Sequence, residues 1–459
     1  MGEDNHKQSK TVEDKKVFLQ QSRLFPFLSF LIGALAIVLV IFCLFQVYEV
    51  VSKIDFGSGV LKVIGSFGTE LKHDEDGNTH ILLLGVGGGD HPGAELTDSI
   101  MLLTLNHSKQ YVSMISVPRD LYVKPPSGGG GLRINAIYDL VMRKSGEAAG
   151  YEAIKDTIEK VTGIRPQYVA KINFQGFVQV VDIMGGVEVH VPSDIIDTAY
   201  PNDSDNGYTT FILRKGKQVL DGKTALRYAR TRHSSSDFDR SERQHDLLDA
   251  MKERAKSKGL LTNPGELKRL FFALSDNIHT DLDIREIIRG VADFADIKKD
   301  HIISVVLTDN PLAEGGFLYT PPRESFGGSF VLIPNGATPG NIEYYKDIQF
   351  LTDLVVRSPE IYTDRPTIAL YNATKKNGLV SMLAQHLKLF GFNVVTVSNA
   401  PEQASTTRVV SYRQNIPQEY FDTLSLFLGP IQKEQGTLSD SPGEDVAIYI
   451  GESYTGVKK

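Results

Sequence analysis

Cysteine is almost missing from this sequence: Cys43 is the single one, and it sits inside an apolar run. One thiol permits no internal disulfide and no thiolate zinc site, and it leaves no cysteine nucleophile in the soluble part. A metal there has only oxygen and imidazole ligands to use. Excess positive charge is missing as well. Lys and Arg number 49 against 56 Asp and Glu, a formal net charge of −7, which argues against general nucleic-acid binding, because that relies on broad positive surface to release counterions. No G-x-S-x-G elbow appears, which disfavours a serine hydrolase. The glycines of GVGGGDHPGAELTDS are followed by no Gly-Lys-Ser/Thr and lead into a strand rather than a helix, so they make neither a Walker loop nor a dinucleotide fingerprint. Short-period repeats and low-complexity tracts are absent too.

Charge is lacking entirely from Leu24 to Tyr48. As a helix that run reaches roughly 37 Å, enough to cross a bilayer core of about 30 Å. It exits through Tyr48-Glu49-Val50-Val51, which is no small-residue cleavage site, so the expectation is an uncleaved anchor. Lys7, Lys10, Lys15, Lys16 and Arg23 precede it and only Lys53 and Lys62 follow closely, which places the N-terminus in the cytoplasm and the rest outside the cell membrane. A cysteine-free exported portion fits a bacterial surface.

At 459 residues the chain has room for two or three domains. Residues 49–77, with scattered glycines and LKHDEDGN, read as a stalk. HILLLGV, SIMLLTLN and YVSMISV have the length and apolar character of buried strands. GEAAGYEAIKDTIEKVTG has helical spacing and stops at Gly163. FVQVVDIMGGVEVHVP is interrupted by Gly185-Gly186 and then alternates as a strand. These alternating elements predict a mixed-sheet, layered α/β domain over 78–260. A helical stretch near 246–257 ends that domain, and one near 264–275, the run IISVVLT and an extended Gly/Pro-rich connector closed by a helix in IEYYKDIQFLTDLVVR fill 261–365. From Pro366 the order βαββαβ predicts a small two-layer domain of ferredoxin-like type over 366–459.

Against the acidic background, YARTRHSSSDFDRSERQ gathers four arginines between Tyr228 and Gln244. Asp239 and Glu242 fit a capping pattern for a following helix, which puts Arg240 and Arg243 in its first turn, where the dipole disfavours cations. A bound anion reverses that preference. Gln244 shares the face of Arg240, and Arg230 and Arg232 point to one side if the segment is extended. The plain alternative is a charged surface helix with pairs such as Asp239–Arg243. Two loops add weight. Arg119, in VPRD, lies just beyond a strand end, where ligands of open α/β sheets bind. Asp90 and Asp98 flank the glycine loop and together could hold Mg2+, with turn-forming or capping as their alternative role.

The series LLLGV, TDSIMLLTLN, VSMISVPRDLYV, RINAIYDL, FVQVVDIMGGVEVHVP, LDGKTALRYARTR and DFDRSERQ, in this order after a membrane anchor, resembles the LytR-CpsA-Psr family of bacterial envelope proteins over about 78–255. The region 366–455 resembles the LytR C-terminal domain. The resemblance implies an extracytoplasmic phosphotransferase that moves a glycopolymer from a polyprenyl-pyrophosphate carrier to peptidoglycan through a phosphodiester. Arg119, Arg230, Arg232, Asp237 and Arg240 match the family's catalytic pattern. Arg133 and Gln244 join the arginines around the pyrophosphate, and Asp98 matches a ligand of Mg2+ or Mn2+. The family's G-x-D after the first strand is Gly85-Val86-Gly87 here, making Asp90 a displaced substitute, and Leu96-Thr97 stand where an arginine usually precedes the second aspartate. Asp237 and Asp120 are candidates for the general base, each with an alternative role as an arginine partner. Competing readings are a polyprenyl-pyrophosphate hydrolase and a non-catalytic wall-polymer-binding or regulatory membrane protein. In the C-terminal domain Asn372, Lys375 and Lys376 could touch a glycan, with a plain helix-start loop as the alternative.

Overall fold

The computed structural model describes residues 69–89, 93–201, 207–231, 277–283, 301–437 and 443–454, with single positions at 247, 250, 254, 257, 286, 289, 290 and 297. The expected membrane span, its cytoplasmic tail and the stalk up to residue 68 lie outside them. Among the described residues no helix is long and apolar enough to cross a membrane.

Three strands open the fold: β1 (Asn78–Val86), β2 (Thr97–Asn106) and β3 (Tyr111–Val117), paired antiparallel in sequence order. Every residue of β1 is buried, as a continuous apolar run predicts for a strand covered on both faces. A short ribbon of β4 (Tyr122–Val123) and β5 (Leu132–Arg133) leads into a helical hairpin, α1 (Asn135–Ser145) and α2 (Glu147–Thr162). The hairpin turns at Gly146, and α2 stops at Gly163 in the left-handed region, whose N–H caps the Glu159 carbonyl.

β6 (Tyr168–Asn173) then joins β1 in parallel, and α3 (Phe174–Ile183) begins on an Asn173 side-chain cap. The Gly185-Gly186 break separates α3 from β7 (Val187–Val191). A hairpin of β8 (Ile195–Pro201) and β9 (Tyr208–Leu213) follows, and β10 (Gly216–Leu220) pairs back on β7. α4 (Gly222–Arg230) starts where α3 ends: the Gly222 N–H donates to Asp182 at 2.7 Å. Only glycine fits at 222, since a Cβ would lie 2.1 Å from the Val178 carbonyl oxygen. β11 (Ile278–Thr280) and β12 (Ile302–Val306) complete a six-stranded sheet in the order β11-β6-β1-β2-β3-β12. Leu82, Leu84, Ile100 and Leu102 face α1 and α2, while Ile81, Leu83, Met101 and Leu103 face the layer of α3 and α4. Leu71 is buried in this second core, so residues 69–77 of the expected stalk belong to the body of the fold.

The connector, expected to be extended, runs mostly through turns and a 3-10 turn at Arg323–Phe326, with β13 (Leu318–Tyr319) and β14 (Ile333–Pro334) paired within it. It closes on α5 (Lys346–Arg357) and α6 (Glu360–Asp364). The last region contains β15 (Thr367–Asn372), α7 (Leu379–Leu389), β16 (Asn393–Asn399), β17 (Arg408–Ser411), α8 (Gln418–Leu428), β18 (Gln432–Gln435) and β19 (Val446–Ile450). Its two-layer character matches the sequence, but the ferredoxin-like type does not hold. Sheet order is β16-β15-β19-β17-β18, with β15 parallel to both neighbours and an added strand, β18, at the edge. β18 reads QKEQ and is exposed throughout, so it carries no apolar signal to betray it.

Both helices lie on one face of this smaller sheet. They share a single core with the larger domain: Phe390 meets Phe317 of the connector at 4.7 Å, Phe350 of α5 at 5.3 Å and Phe427 of α8 at 5.1 Å between ring centroids.

Candidate functional site

Strands β1, β3 and β6 run the same way and finish at one end of the large sheet. The VPRD arginine stands there. Pro118 has no N–H to continue the ladder, and the turn it begins, closed by Leu121 N–H to Pro118 O at 3.0 Å, turns Arg119 out of the strand. Its Nη1 lies 2.7 Å from Asp98 Oδ1, near the start of β2, and its Nε lies 3.6 Å from Asp120 Oδ2. Asp120 Oδ1 accepts from Arg133 Nη1 at 3.2 Å. The row Asp98–Arg119–Asp120–Arg133 therefore alternates in charge. Its centre is mostly buried, with side-chain exposures of 13% for Arg119 and 5% for Asp120, against 24% and 45% for Asp98 and Arg133 at the ends. Both oxygens of Asp120 are turned to arginines, the partner role rather than that of a base.

Asn135, at the first turn of α1, ties these pieces together. Its Nδ2 is 3.4 Å from Asp98 Oδ1, its N–H donates to the Arg119 carbonyl, and its own carbonyl accepts from the Thr97 hydroxyl at 3.2 Å. The connector contributes too: Leu332 pairs with the chain on both sides of Leu121, giving a bond to the Asp120 carbonyl at 2.9 Å and taking one from the Tyr122 N–H at 2.8 Å. The backbone around Arg119 is held from three directions, which fixes the guanidinium before any ligand arrives.

The glycine loop lies beside this row. Gly88 adopts φ +70° and bonds through its N–H to Ala94 O at 2.9 Å, and a Cβ on it would come within 2.8 Å of Asn173 Cβ. Glu95 on the returning arm meets Lys171 at 3.0 Å. Lys171 is an isolated cation on a buried strand. Burial alone pushes its pKa down, but bonds to the Tyr138 hydroxyl and the carboxylates of Glu95 and Glu147 carry it above the ordinary lysine value. Asp90 falls outside the described residues, so Asp98 is the described member of the expected metal pair. Among the described residues no group of three or more metal-ligating side chains occurs.

The arginine-rich stretch enters as helix. Arg230 closes α4 instead of standing in an extended segment, and Thr231 after it is buried, donating its hydroxyl to Asp197 at 2.7 Å. α4 starts against Asp182 of α3 and packs on that helix, and toward its end Arg227 lies over the Tyr200 ring of β8. Arg232, Asp237, Arg240 and Gln244 lie outside the described residues, as does the side chain of Arg230.

Sequence reasoning stopped at Arg133 in RINAIYDL and passed over Asn135, although an asparagine opening a helical run was a signal. Lys171 in YVAKIN was also legible as a lone charge within an apolar strand. At the opposite end of the sheet a cavity of about 750 Å3 opens beside Asn78, His80, Lys155 and Arg357. None of the candidate catalytic, binding or metal residues named from the sequence lines it. The loop of Asn372, Lys375 and Lys376 follows the plain alternative, for Asn372 accepts from Thr374 and donates to the Lys376 carbonyl at 2.9 Å to build the turn before α7.

Two family models match this chain: the LytR_cpsA_psr family over residues 56–326, and the LytR cell envelope-related transcriptional attenuator over residues 365–454. The polyisoprenyl-teichoic acid–peptidoglycan teichoic acid transferase TagT of Bacillus subtilis is 29% identical over 243 residues, 52% of this chain and 70% of that protein. The cell wall biosynthesis protein LcpA of Corynebacterium glutamicum is 24% identical over 410 residues, 77% of this chain and 73% of that protein. The regulatory protein MsrR of Staphylococcus aureus is 34% identical over 181 residues, 39% of this chain and 49% of that protein.

Proposed function

From the premise that this chain belongs to the LytR-CpsA-Psr family and ends in a LytR C-terminal domain, we propose that it transfers a glycopolymer from a polyprenyl-pyrophosphate carrier to peptidoglycan. A sugar hydroxyl of the acceptor attacks the phosphorus nearer the glycan. The new P–O bond makes the phosphodiester, the P–O–P bond breaks, and polyprenyl phosphate leaves with the electron pair while the hydroxyl proton passes to a base. The observation that carries this reading is the buried, pre-aimed Arg119 between Asp98 and Asp120 at the end of the sheet.

Phosphoryl transfer is mostly positioning and electrostatics. Arg119 is already ordered by its carboxylates, so its planar fork loses little freedom when a diphosphate engages it. Arg133, more exposed at the end of the row, is placed to meet the outer phosphate. Arg230, Arg232, Arg240 and Gln244 would close the clamp from the other side, with Asp237 as the remaining base candidate. Asp98 and Asp90, flanking the glycine loop, suit a hard cation that prefers few carboxylates, water and phosphate oxygens. Mg2+ or Mn2+ held there would neutralise charge on the departing phosphate. The Leu24–Tyr48 run, as a single-pass anchor with a cytoplasmic N-terminus, would keep the extracytoplasmic domain beside a lipid that cannot leave the bilayer.

The test is to incubate the purified protein with a polyprenyl-pyrophosphate saccharide, peptidoglycan strands and Mg2+, and to analyse the products. A covalent saccharide–peptidoglycan adduct is expected. Free saccharide phosphate without adduct would mean hydrolysis, and polymer retained without turnover would mean a binding protein; either result overturns the proposal.

A further inference from the structure

Among the described residues the sheet of the C-terminal domain carries helices on one side only, and on its other side Tyr371, Tyr449 and Tyr412 close over Ala369 and Ala447. Ile368, Leu370, Ile448 and Val409 face α7 and α8, so their neighbours along the strands point the other way. On that second face Tyr371 of β15 stands in register with Tyr449 of β19, and Tyr449 with Arg408 of β17. The two rings stack at 5.0 Å with 16° between their planes, and the Arg408 guanidinium lies 5.2 Å from the Tyr449 ring. Beyond Arg408 is Glu434 of β18, at 3.7 Å. On the other side of Tyr371 the partner in register is Ser398 of β16, small and exposed. One row in register thus crosses the sheet, a serine, two stacked tyrosines, an arginine and Gln432, with Glu434 reached from Arg408 further along β18. Both tyrosines are partly exposed, and among the described residues no second ring and no cation stacks on Tyr371.

We propose that this face docks an uncharged saccharide chain, with the outer face of Tyr371, beside Ser398, as its stacking surface. A pyranose ring presents C–H groups on its faces and hydroxyls around its rim. The faces pack on an aromatic plane, and the rim needs neutral polar side chains. Ser398 and Gln432, both exposed and in register with the row, supply those at its two ends. Charge selects the ligand class. Arg408 is answered by Glu434, and Glu444, near the other end of the face, accepts a hydrogen bond from Thr396. One paired arginine and a carboxylate met by a neutral hydroxyl give a polyanion nothing to neutralise, whereas single-stranded nucleic acid needs a positive groove along its backbone as well as aromatic platforms. The inference does not rest on phosphotransfer, because docking requires neither the lipid-linked donor nor the residues around Arg119.

The probe is a soluble chitooligosaccharide, titrated into the full chain without donor or metal. Since the sequence contains no tryptophan, tyrosine emission can follow binding directly, with calorimetry as the second readout. Tyr371→Ala is expected to weaken binding by about tenfold or more, the usual scale of one aromatic stacking contact, while Tyr371→Phe keeps wild-type affinity. Ser398→Arg, an exposed substitution that leaves the core untouched, is expected to block binding by occupying the space beside the ring. The melting temperature of Ser398→Arg should equal that of the wild type, which keeps the test valid if Tyr371→Ala folds poorly. No saturable binding by the wild type, equal binding by Ser398→Arg, or a self-association in sedimentation that Ser398→Arg disrupts while no sugar binds, would each overturn the proposal.

Discussion

The two sheets of this molecule put their chemistry in different places. The six-stranded sheet is covered on both faces, so its side chains make core and the residues of the candidate site stand where β1, β3 and β6 end. Asp98, Arg119 and Asp120 are products of that constraint: a loop must leave the sheet there, and its backbone and charges have to be satisfied. Among the described residues the five-stranded sheet carries helices on one face only, and on the other its distinctive residues stand across the strands rather than beyond them. A doubly covered sheet offers a ligand its end, and a singly covered sheet offers its surface. The first suits a charged headgroup held by convergent forks. The second suits a flat, neutral ring.

Four substitutions test how separate the two sheets are, taken from the largest effect down. Phe390→Ala removes the ring shared by the connector, α5, α7 and α8 and should cost about 3–5 kcal/mol. Both regions are expected to unfold in one transition at lower urea, read by circular dichroism; two transitions with only one displaced would show that the sheets are thermodynamically independent. Arg119→Ala should lower transfer by about 10²–10³-fold, as loss of one preorganised donor does, with chitooligosaccharide affinity unchanged. A parallel fall in sugar binding would join the two functions into one. Gly88→Ala forces a side chain into the left-handed region against Asn173 and is expected to destabilise by about 1–2 kcal/mol, moving the urea midpoint and transfer but not sugar binding. The smallest effect concerns His80, where burial pushes the pKa below the ordinary 6.5 against the opposing pull of Asp74. The unfolded chain therefore binds this proton more readily, so the stability His80 confers is complete above about pH 6.5 and is lost as pH falls through its folded pKa. His80→Gln should flatten that part of the melting-temperature profile and leave the five-stranded sheet's sugar affinity alone.

Much of this was readable from the chain, for a physical reason that varies by element. β1 to β3 were legible because a fully buried strand has to be apolar along its whole length. α2 announced its end through Gly163. Arg119 was legible because proline and arginine after an apolar run mark a strand end with a charge held beyond it. β18 was not, because an exposed edge strand of QKEQ follows no hydrophobic period. α4 was also missed: its sequence, GKTALRYAR, is short and basic, and its helicity depends on the Asp221 cap and on packing against α3. The ferredoxin-like expectation failed because element order does not specify which strands become neighbours. Asp98 was singled out as flanking the glycine loop, but its ion pair with Arg119 depends on a register between β2 and β3 that spacing alone does not give. The stacked tyrosines were invisible for the same reason, lying 78 residues apart until β15 and β19 align.

The aromatic knot around Phe390 also decides how the C-terminal region may be studied. A chain truncated before β15 would leave Phe317, Phe350 and the apolar side of α5 facing water, and its poor behaviour would say nothing about what the missing part does. Deletion is a misleading instrument for this protein. Single changes on the outer surface, such as those at Ser398, ask the same question without opening the wound.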